Sequence, residues 1–458
     1  MQNRHALAAI AAGIAALTFS GPGFAADHSD LVSYGALRAK PIEVIPHVGT
    51  IVIPESSIEH AGDIGLRAHT HSRVLIPAQP VEPPEAGTVS NSTSPLLTTT
   101  ETPASLACVY RLVAQTYGCN PTKVSKVAAG GSKAIAIVDA YHNKTALNDL
   151  KTFSTHFKLP APNLTVVYCS STTCTGVTKP PPACQTSDQC GWALEIALDL
   201  DAAHAMAPHA KLYLVEANSN SYVDLMRAED RAAQLVAAAG GGQVTNSWGG
   251  SDFKQETSYD SHFVKNKVVF FASTGDHKCS GAPTCPDVEY PSVSPNVVGV
   301  GGTTINRTNA KAFSSESAWI YGGGGLSKYE KRPSYQNKVQ NRVGAHRGAP
   351  DVSADADPAS GMWVRCSTAA CGGSSAWYIV GGTSLASPLI AGITNNAGHF
   401  RASSAAELTT IYNELGGARF NDITSGKCGN GTNGALVPAI TGWDRCTGVG
   451  TPKGKAGL

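Results

Sequence analysis

The stretch EIALDLDAAHAMAPHAKLYLVEA, from Glu195 to Ala217, holds the unit that decides the fold. Its first half, up to Met206, is rich in alanine and leucine and contains no proline, which predicts a helix. Its second half is a short apolar run with aromatic and β-branched residues, which predicts a buried strand. A helix that leads directly into a buried strand is the building block of a sheet covered by helices.

The same alternation recurs along the chain from about residue 102 onward. Buried strands are predicted in the runs KAIAIVDA (133–140), KVVFFAS (267–273) and VVGVGGTT (297–304), and helical stretches lie between several of these runs. We therefore predict an α/β domain over residues 102–458, with a doubly wound parallel sheet and helices on both faces. In such sheets ligands bind beyond the carboxyl ends of the strands, so residues that follow strands are the candidates for chemistry.

The composition excludes several classes of partner. The chain has 458 residues, of which 15% are charged, and its net charge is +1. No run of basic residues is present, so we expect neither a nucleic acid nor an anionic membrane as a partner. We expect a monomer.

The first 25 residues have the pattern of a secretory signal peptide. Arg4 supplies the positive start, residues 6–19 form a short apolar segment, and Gly21-Pro22-Gly23 breaks it. A membrane anchor is the alternative, but the apolar run is short for a bilayer. We therefore expect a secreted, extracellular protein.

Residues 26–101 are predicted to form a short pro-segment that ends in a linker. Short β-like runs such as VGTIVIP come first, and a stretch rich in proline, serine and threonine follows from Pro77. The segment also carries His60, His69 and His71, whose protonation in acid could weaken its contacts.

Twelve cysteines fall into pairs of near neighbours, which in an exported chain predicts disulfides rather than a metal site. No paired CxxC repeat or Cys/His cluster has zinc spacing. The six expected bridges are Cys108–Cys119, Cys169–Cys174, Cys184–Cys190, Cys279–Cys285, Cys366–Cys371 and Cys428–Cys446.

The run IVGGTSLASPLIAGI, residues 379–393, places a serine where a helix is predicted to begin. At a helix N-terminus the backbone N–H groups and the helix dipole favour negative charge. The glycines before Ser384 would let a substrate backbone approach. Ser384 is therefore a candidate nucleophile, although a simple helix cap explains a lone serine equally well.

Glu195 and Asp199 lie four residues apart and so share one face of the predicted helix. No lysine or arginine occurs between Gly191 and Met206 to neutralise them. A solvated stripe is the ordinary explanation for such a pair, but the same stripe continues with Gly191, Ala202 and Met206, which favours a packed setting.

Several motifs in one order resemble the sedolisins, the serine-carboxyl peptidases related to subtilisin whose general base is glutamate. The motifs are AIAIVDAY, the ExxxD helix, NSWGG, FFASTGD, YPSVSPNVVGVGGTT, ESAW, GGGLS, RPSYQ, PDVSADADP, GGTSLASP, NDITSG and GWDRCTGVGTP. The resemblance covers residues 104–452 and implies a subtilisin-like fold.

The resemblance also implies the roles of individual residues. Ser384 matches the nucleophile, Glu195 the general base, Asp199 the residue that orients it, and Asp276 the acid of the oxyanion hole. Supporting roles fall to two more residues, Asp139 and Trp248. A protonated aspartic acid in an oxyanion hole points to operation in acid. The implied activity is a secreted endopeptidase acting on peptides or proteins, with its own pro-segment as inhibitor.

A calcium site near the C-terminus is implied by the same resemblance. The matching ligands are the side chains of Asp422 and Asp444 and the backbone carbonyls of Ile423, Ile440 and Gly442. Oxygen ligands of this kind suit one structural Ca²⁺.

Two other functions remain open at this point. A histidine-dependent subtilisin-type protease would use Asp139, either His204 or His209, and Ser384. A catalytically inactive secreted binding protein is the second alternative.

Overall fold

The structure is a computed structural model that describes residues 31–34, 37–85, 94–277, 288–368, 371, 377–429 and 435–458. From Leu31 onward the chain belongs to one unit. The predicted signal peptide, residues 1–25, lies outside the described residues. Within those ranges, no helix combines the length and the hydropathy that crossing a bilayer requires.

The strands and helices are numbered in chain order. The strands are β1 (Val32–Tyr34), β2 (Leu37–Ile45), β3 (Gly49–Pro54), β4 (His69–Thr70), β5 (Arg73–Pro77), β6 (Ala134–Ala140), β7 (Asn163–Tyr168), β8 (Lys211–Ala217), β9 (Gly242–Asn246), β10 (Trp248–Ser251), β11 (Val268–Ser273), β12 (Glu289–Tyr290), β13 (Val298–Arg307), β14 (Phe313–Ala318), β15 (Gly325–Lys331), β16 (His346–Ala349), β17 (Val352–Asp355), β18 (Met362–Arg365), β19 (Trp377–Gly381), β20 (Phe420–Asn421), β21 (Lys427–Cys428), β22 (Val437–Pro438) and β23 (Thr451–Pro452). The helices are α1 (Leu96–Thr99), α2 (Pro103–Val109), α3 (Ala146–His156), α4 (Ser187–Met206), α5 (Tyr222–Ala238), α6 (Gln340–Val343), α7 (Thr383–Ala397) and α8 (Ser404–Asn413).

The central sheet has the strand order β14-β13-β11-β9-β6-β8-β7, with β17 paired to β13. Its pairings are parallel except that of β14 with β13. Helices cover both faces. In β6, Ile135 and Ile137 pack into the same cluster as α4 and α7, whereas Ala136 and Val138 pack into the cluster that contains α5. The predicted doubly wound α/β fold is confirmed.

A second sheet joins the N-terminal segment to the strand that precedes α7. Its order is β1-β2-β3-β5-β19-β18, and Leu75 of β5 lies opposite Ile379 of β19 in an antiparallel pair. A small sheet of β12, β10 and β4 makes a further connection, because β4 comes from the same N-terminal segment. The segment is thus held at the ends of the central strands.

The end of the predicted linker is packed rather than extended through solvent. Leu96 and Leu97 are buried. Thr102 caps α2 in a capping box with Ser105, and Pro103 occupies the first turn. Thr102, Pro103 and Ser105, at the start of the predicted domain, thus form a helix N-terminus.

Five of the six predicted disulfides are present: Cys108–Cys119, Cys169–Cys174, Cys184–Cys190, Cys366–Cys371 and Cys428–Cys446. The sixth, Cys279–Cys285, lies outside the described residues.

Candidate active site

Ser384 lies in the first turn of α7, directly after the end of β19. Gly382 connects the two elements at a φ of +94°, a conformation that favours glycine. A side chain at Gly382 would collide with the carbonyl oxygen of His71 and with Asp276 Oδ2. The Ser384 hydroxyl is buried and donates a hydrogen bond to the carbonyl of Ser247 at 3.2 Å.

Helix α4 brings Glu195 to the same place. The helix begins after Thr186, whose side chain accepts a hydrogen bond from the N–H of Gln189, and Glu195 is fully buried. Burial raises the pKa of Glu195 to about 8, although the hydroxyls of Ser384 and Ser72 act to lower it. Both hydroxyls are therefore near Glu195, although among the described residues neither of its carboxyl oxygens has a partner with full hydrogen-bond geometry. Glu195 is therefore a buried carboxyl that faces the serine and readily holds a proton.

Asp199 and Asp139 lie near Glu195 in the interior and form a cluster of carboxyl groups with it. Asp199 Oδ1 accepts a hydrogen bond from the Ser247 hydroxyl at 2.7 Å. Burial raises the pKa of Asp199 well above its ordinary value, and repulsion from Asp139 and Glu195 raises it further. Burial, and then repulsion by Glu195, also raise the pKa of Asp139. The three carboxyl groups therefore share protons instead of ionising together.

Asp276 faces Ser384 from the loop after β11. Its Oδ1 accepts hydrogen bonds from the backbone N–H of Thr383 at 2.7 Å and from the Thr383 hydroxyl at 2.8 Å. Its Oδ2 lies 3.6 Å from Arg73 Nη1 and, within the described residues, makes no hydrogen bond. Burial raises the pKa of Asp276, although Arg73 and His71 oppose the shift. A protonated Oδ2 could donate a hydrogen bond to an oxyanion.

Strand β4 and the residue after it lie across Ser384. His69 pairs with Gly249 in an antiparallel register. The His71 N–H points at the carbonyl of Ser247, at 3.3 Å, and at the Ser384 Oγ, at 3.0 Å. The His71 carbonyl accepts a hydrogen bond from the Ser384 N–H at 3.1 Å. The segment therefore lies as an extended peptide along β10 with one carbonyl beside the serine.

His204, His209 and His71 do not place an imidazole where it would accept the proton of the Ser384 hydroxyl. His204 is buried and its Nε2 lies 3.0 Å from the carbonyl oxygen of Pro160. Burial lowers the pKa of His204 to about 4, while His209 is exposed. The backbone of His71 lies beside Ser384, but the Nδ1 of its ring is 2.6 Å from the Ser273 hydroxyl. This geometry disfavours the histidine-dependent alternative.

Comparison with known proteins finds relatives among the serine peptidases. The subtilase family profile matches residues 190–397. Kumamolisin from Bacillus sp. (strain MN-32) is 27% identical over 59% of this chain and 51% of its own length. Sedolisin from Pseudomonas sp. (strain 101) is 26% identical over 73% of this chain and 60% of its own length.

These matches support the resemblance of the chain to the sedolisin family. The chain spans between one half and two thirds of the length of these two relatives. A solved structure of Pseudomonas sedolisin, a serine-carboxyl proteinase complexed with two molecules of pseudo-iodotyrostatin, has a TM-score of 0.61 at 23% identity. That match covers 78% of this chain and 96% of the sedolisin chain. At this identity the match shows the common fold.

Trp248, for which the sedolisin resemblance implied a supporting role, is fully buried. Its indole N–H donates to the carbonyl of Val138 at 2.8 Å, and its ring packs in the cluster on the α5 side of the sheet. Its backbone pairs with Thr70. Trp248 thus anchors the strand on which the extended segment lies.

The residues that match the sedolisin calcium loop are close together. Asp422 Oδ2 accepts a hydrogen bond from the N–H of Gly442 at 2.9 Å, and Asp444 Oδ2 accepts one from the N–H of Ile440 at 3.0 Å. Asp444 Oδ1 also binds the N–H groups that follow it. Ile423 is buried beside this loop. The two aspartates are therefore oriented into one turn.

Sequence reasoning missed the buried carboxylate of Glu289. This residue contacts His69, His71 and His277, and its side chain is completely buried. Two signals were available. His69 and His71 alternate on a strand and so share one face, and Glu289 is a lone acid among the apolar residues of the run VEYP.

Proposed function

We propose that the protein is a serine-carboxyl peptidase that cleaves peptide bonds in acid. The observation that carries this proposal is a buried serine at a helix N-terminus that faces a buried carboxyl group, Glu195. Among the histidines of the described residues, no ring nitrogen makes a hydrogen bond to this hydroxyl. The similarity to sedolisin and kumamolisin supports the proposal.

In the proposed reaction the ionised form of Glu195 takes the proton from the Ser384 hydroxyl, whose oxygen attacks the substrate carbonyl. The oxyanion is stabilised by the Ser384 N–H and by protonated Asp276. Glu195 returns the proton to the leaving amine, and water then hydrolyses the acyl-enzyme. Asp199 and Asp139 share protons with Glu195 in the buried carboxyl cluster, and their protonation changes the pKa of Glu195.

We further propose that the N-terminal segment inhibits the peptidase until it is removed. It lies along β10 as an extended peptide, with the backbone of His71 at the serine. Arg73 lies beside Asp276 and favours its ionised form, which cannot donate to an oxyanion. The same segment would therefore block the cleft, and its Arg73 would oppose protonation of Asp276.

Export and calcium binding are parts of the same proposal. Disulfides form in oxidising compartments, which agrees with secretion of the protein. The turn that contains Asp422 and Asp444 offers carboxylate oxygens and backbone carbonyls, the ligand class that Ca²⁺ prefers. A bound calcium would stabilise this loop and take no part in the chemistry.

The test is cleavage of a denatured protein by the full chain between about pH 3 and pH 7. We expect cleavage in acid that falls toward neutrality. The variant Ser384→Ala should lose it, by about 10⁴-fold or more, since the residues of such a site act as a unit. Ser387→Ala is the matched control, because Ser387 lies one turn along α7 and bonds to Thr245. Cleavage that is undiminished in Ser384→Ala would refute the proposal.

A further inference from the structure

The side chain of His71 lies in a pocket beside the catalytic serine. Its Nδ1 is 2.6 Å from the Ser273 hydroxyl, and its Nε2 contacts the carboxylate of Glu289. Because the His71 carbonyl is the one that faces Ser384, this pocket receives the side chain on the acyl side of the bond to be cleaved.

Two glycines shape this pocket. A Cβ atom at Gly249 would lie 2.9 Å from Glu289 Oε2 and 2.9 Å from His71 Cε1. A Cβ atom at Gly275 would lie 2.7 Å from Glu289 Oε1. A side chain at Gly249 would therefore crowd the His71 ring and the carboxylate, and one at Gly275 would crowd the carboxylate next to His277. Their absence gives a substrate side chain direct access to Glu289.

We propose that Glu289 makes this pocket selective for cationic side chains, and that the bond between His71 and Ser72 is the protein's own first substrate. The proposal rests on the peptidase function given above. It names the residue that sets substrate preference and the chemical class of side chain that it selects.

The charge environment supports this selection. Burial opposes ionisation of Glu289, but His71, His69 and His277 hold its pKa well below the ordinary value. His69 and His71 belong to the N-terminal segment and leave with it. Of these three imidazoles only His277 then remains, and burial lowers its pKa to about 4. A buried carboxylate that has lost its partners is costly, so a cationic substrate side chain that pairs with it is favoured.

The reaction at the segment itself is an ordinary hydrolysis. The Ser384 oxygen bonds to the His71 carbonyl carbon, the bond from that carbon to the Ser72 nitrogen breaks, and the nitrogen takes the proton held by Glu195. Water then releases His71 as a free carboxylate. The new N-terminus is Ser72.

The first experiment uses peptides that differ only in the residue on the acyl side of the cleaved bond, which is His, Arg, Phe or Gln. The full chain, incubated in acid, should cleave the His and Arg peptides with a kcat/KM at least about tenfold above that of the Phe peptide. Glu289→Gln should reduce the ratio of the kcat/KM values for the His and Phe peptides to less than about threefold. Equal rates on all peptides in the wild type would overturn the proposal.

A metal ion bound by His69, His277 and Glu289 would be a different explanation of the cluster. The assays are therefore repeated with a chelator. An unchanged preference supports selection by the carboxylate, and a preference that disappears with the chelator overturns it.

A second measurement does not depend on the folding of a Glu289 variant. Mass spectrometry of the full chain after acid incubation should find an N-terminus at Ser72. The variant His71→Arg should keep this cleavage, and His71→Glu should slow it by about tenfold or more. His262→Asn is the control, because His262 is paired with Asp230 outside the cleft. A first cut at another bond, or equal cleavage of His71→Glu, would contradict the proposal.

The failure of this inference can be distinguished from failure of the peptidase function. Cleavage that depends on Ser384 but not on the substrate residue at the acyl side of the cleaved bond overturns only the role of Glu289. Absence of any Ser384-dependent cleavage overturns the peptidase function as well.

Discussion

At the scale of single residues, Glu195 shows how burial prepares a carboxyl group for acid chemistry. It has no basic partner in α4, and burial raises its pKa from an ordinary value of 4.5 to about 8. An arginine at its side would hold it ionised and unable to pass a proton back and forth. The lack of a cation in this helix is thus a requirement of the proposed chemistry.

The raised pKa of Glu195 predicts a pH dependence of stability. Between about pH 4.5 and pH 8 the folded state keeps a proton that the unfolded state releases, so the free energy of unfolding falls as pH rises. Each such proton contributes a slope of about 1.4 kcal/mol per pH unit. In a Ser384→Ala parent, which prevents self-cleavage, Glu195→Gln should remove part of this slope.

Urea unfolding of the two proteins at pH 4 and at pH 7 measures the effect. The variant and its parent should have similar stability at pH 4, where glutamine resembles the protonated carboxyl, and the variant should be the more stable one at pH 7. A parallel loss of stability in both proteins would mean that Glu195 does not carry the buried proton.

At the scale of helices and strands, local sequence patterns predicted the helix–strand units but not the pairing of strands that are distant in the chain. The helix–strand units were predictable because their apolar periodicity lies within about twenty residues. Ser384 and Glu195 were found because each lies in a local motif. The pairing of Leu75 with Ile379 joins positions about 300 residues apart, and no local pattern reports it. For the same reason the sequence did not reveal that β4 lies in the cleft beside Glu289.

Helix α4 also contacts the N-terminal segment, and this contact predicts a difference between two glycine variants. A Cβ atom at Gly191 would lie 2.1 Å from Ser56 Oγ and 2.6 Å from Ser56 Cβ. Ser56 Oγ in turn is 2.9 Å from Thr70 Oγ1, next to the cleft. Overpacking of this kind costs about 1–3 kcal/mol, more than the gain of about 1 kcal/mol from alanine in a helix.

Gly191→Ala should therefore loosen the segment and speed its removal in acid by several-fold. The rate at which the full-length band disappears on a gel gives the measurement. Gly62→Ala is the matched control, because a Cβ atom at Gly62 meets no atom within 4 Å. Equal rates for the two variants would show that the contact between Ser56 and α4 does not hold the segment in place.

At the scale of the whole molecule, the described disulfides all close short loops. Their separations run from 5 residues to the 18 residues between Cys428 and Cys446. Short loops restrict the unfolded chain less than long ones do. The bridges therefore fix local geometry more than they restrict the unfolded chain.

The proposed calcium site predicts a stability effect that depends on the metal. A ligand that binds only the folded state at 100 times its Kd adds about 2.7 kcal/mol to the free energy of unfolding. Removal of calcium with a chelator should then lower the Tm of the Ser384→Ala protein, and added calcium should restore it. Asp422→Asn is the informative variant, because its amide oxygen can still accept the hydrogen bond from Gly442 while the charge is lost. This variant should melt at the lower temperature with or without calcium. If chelation leaves the Tm of the parent protein unchanged and elemental analysis finds no calcium, the turn is held by its own hydrogen bonds, above all those that Asp444 accepts.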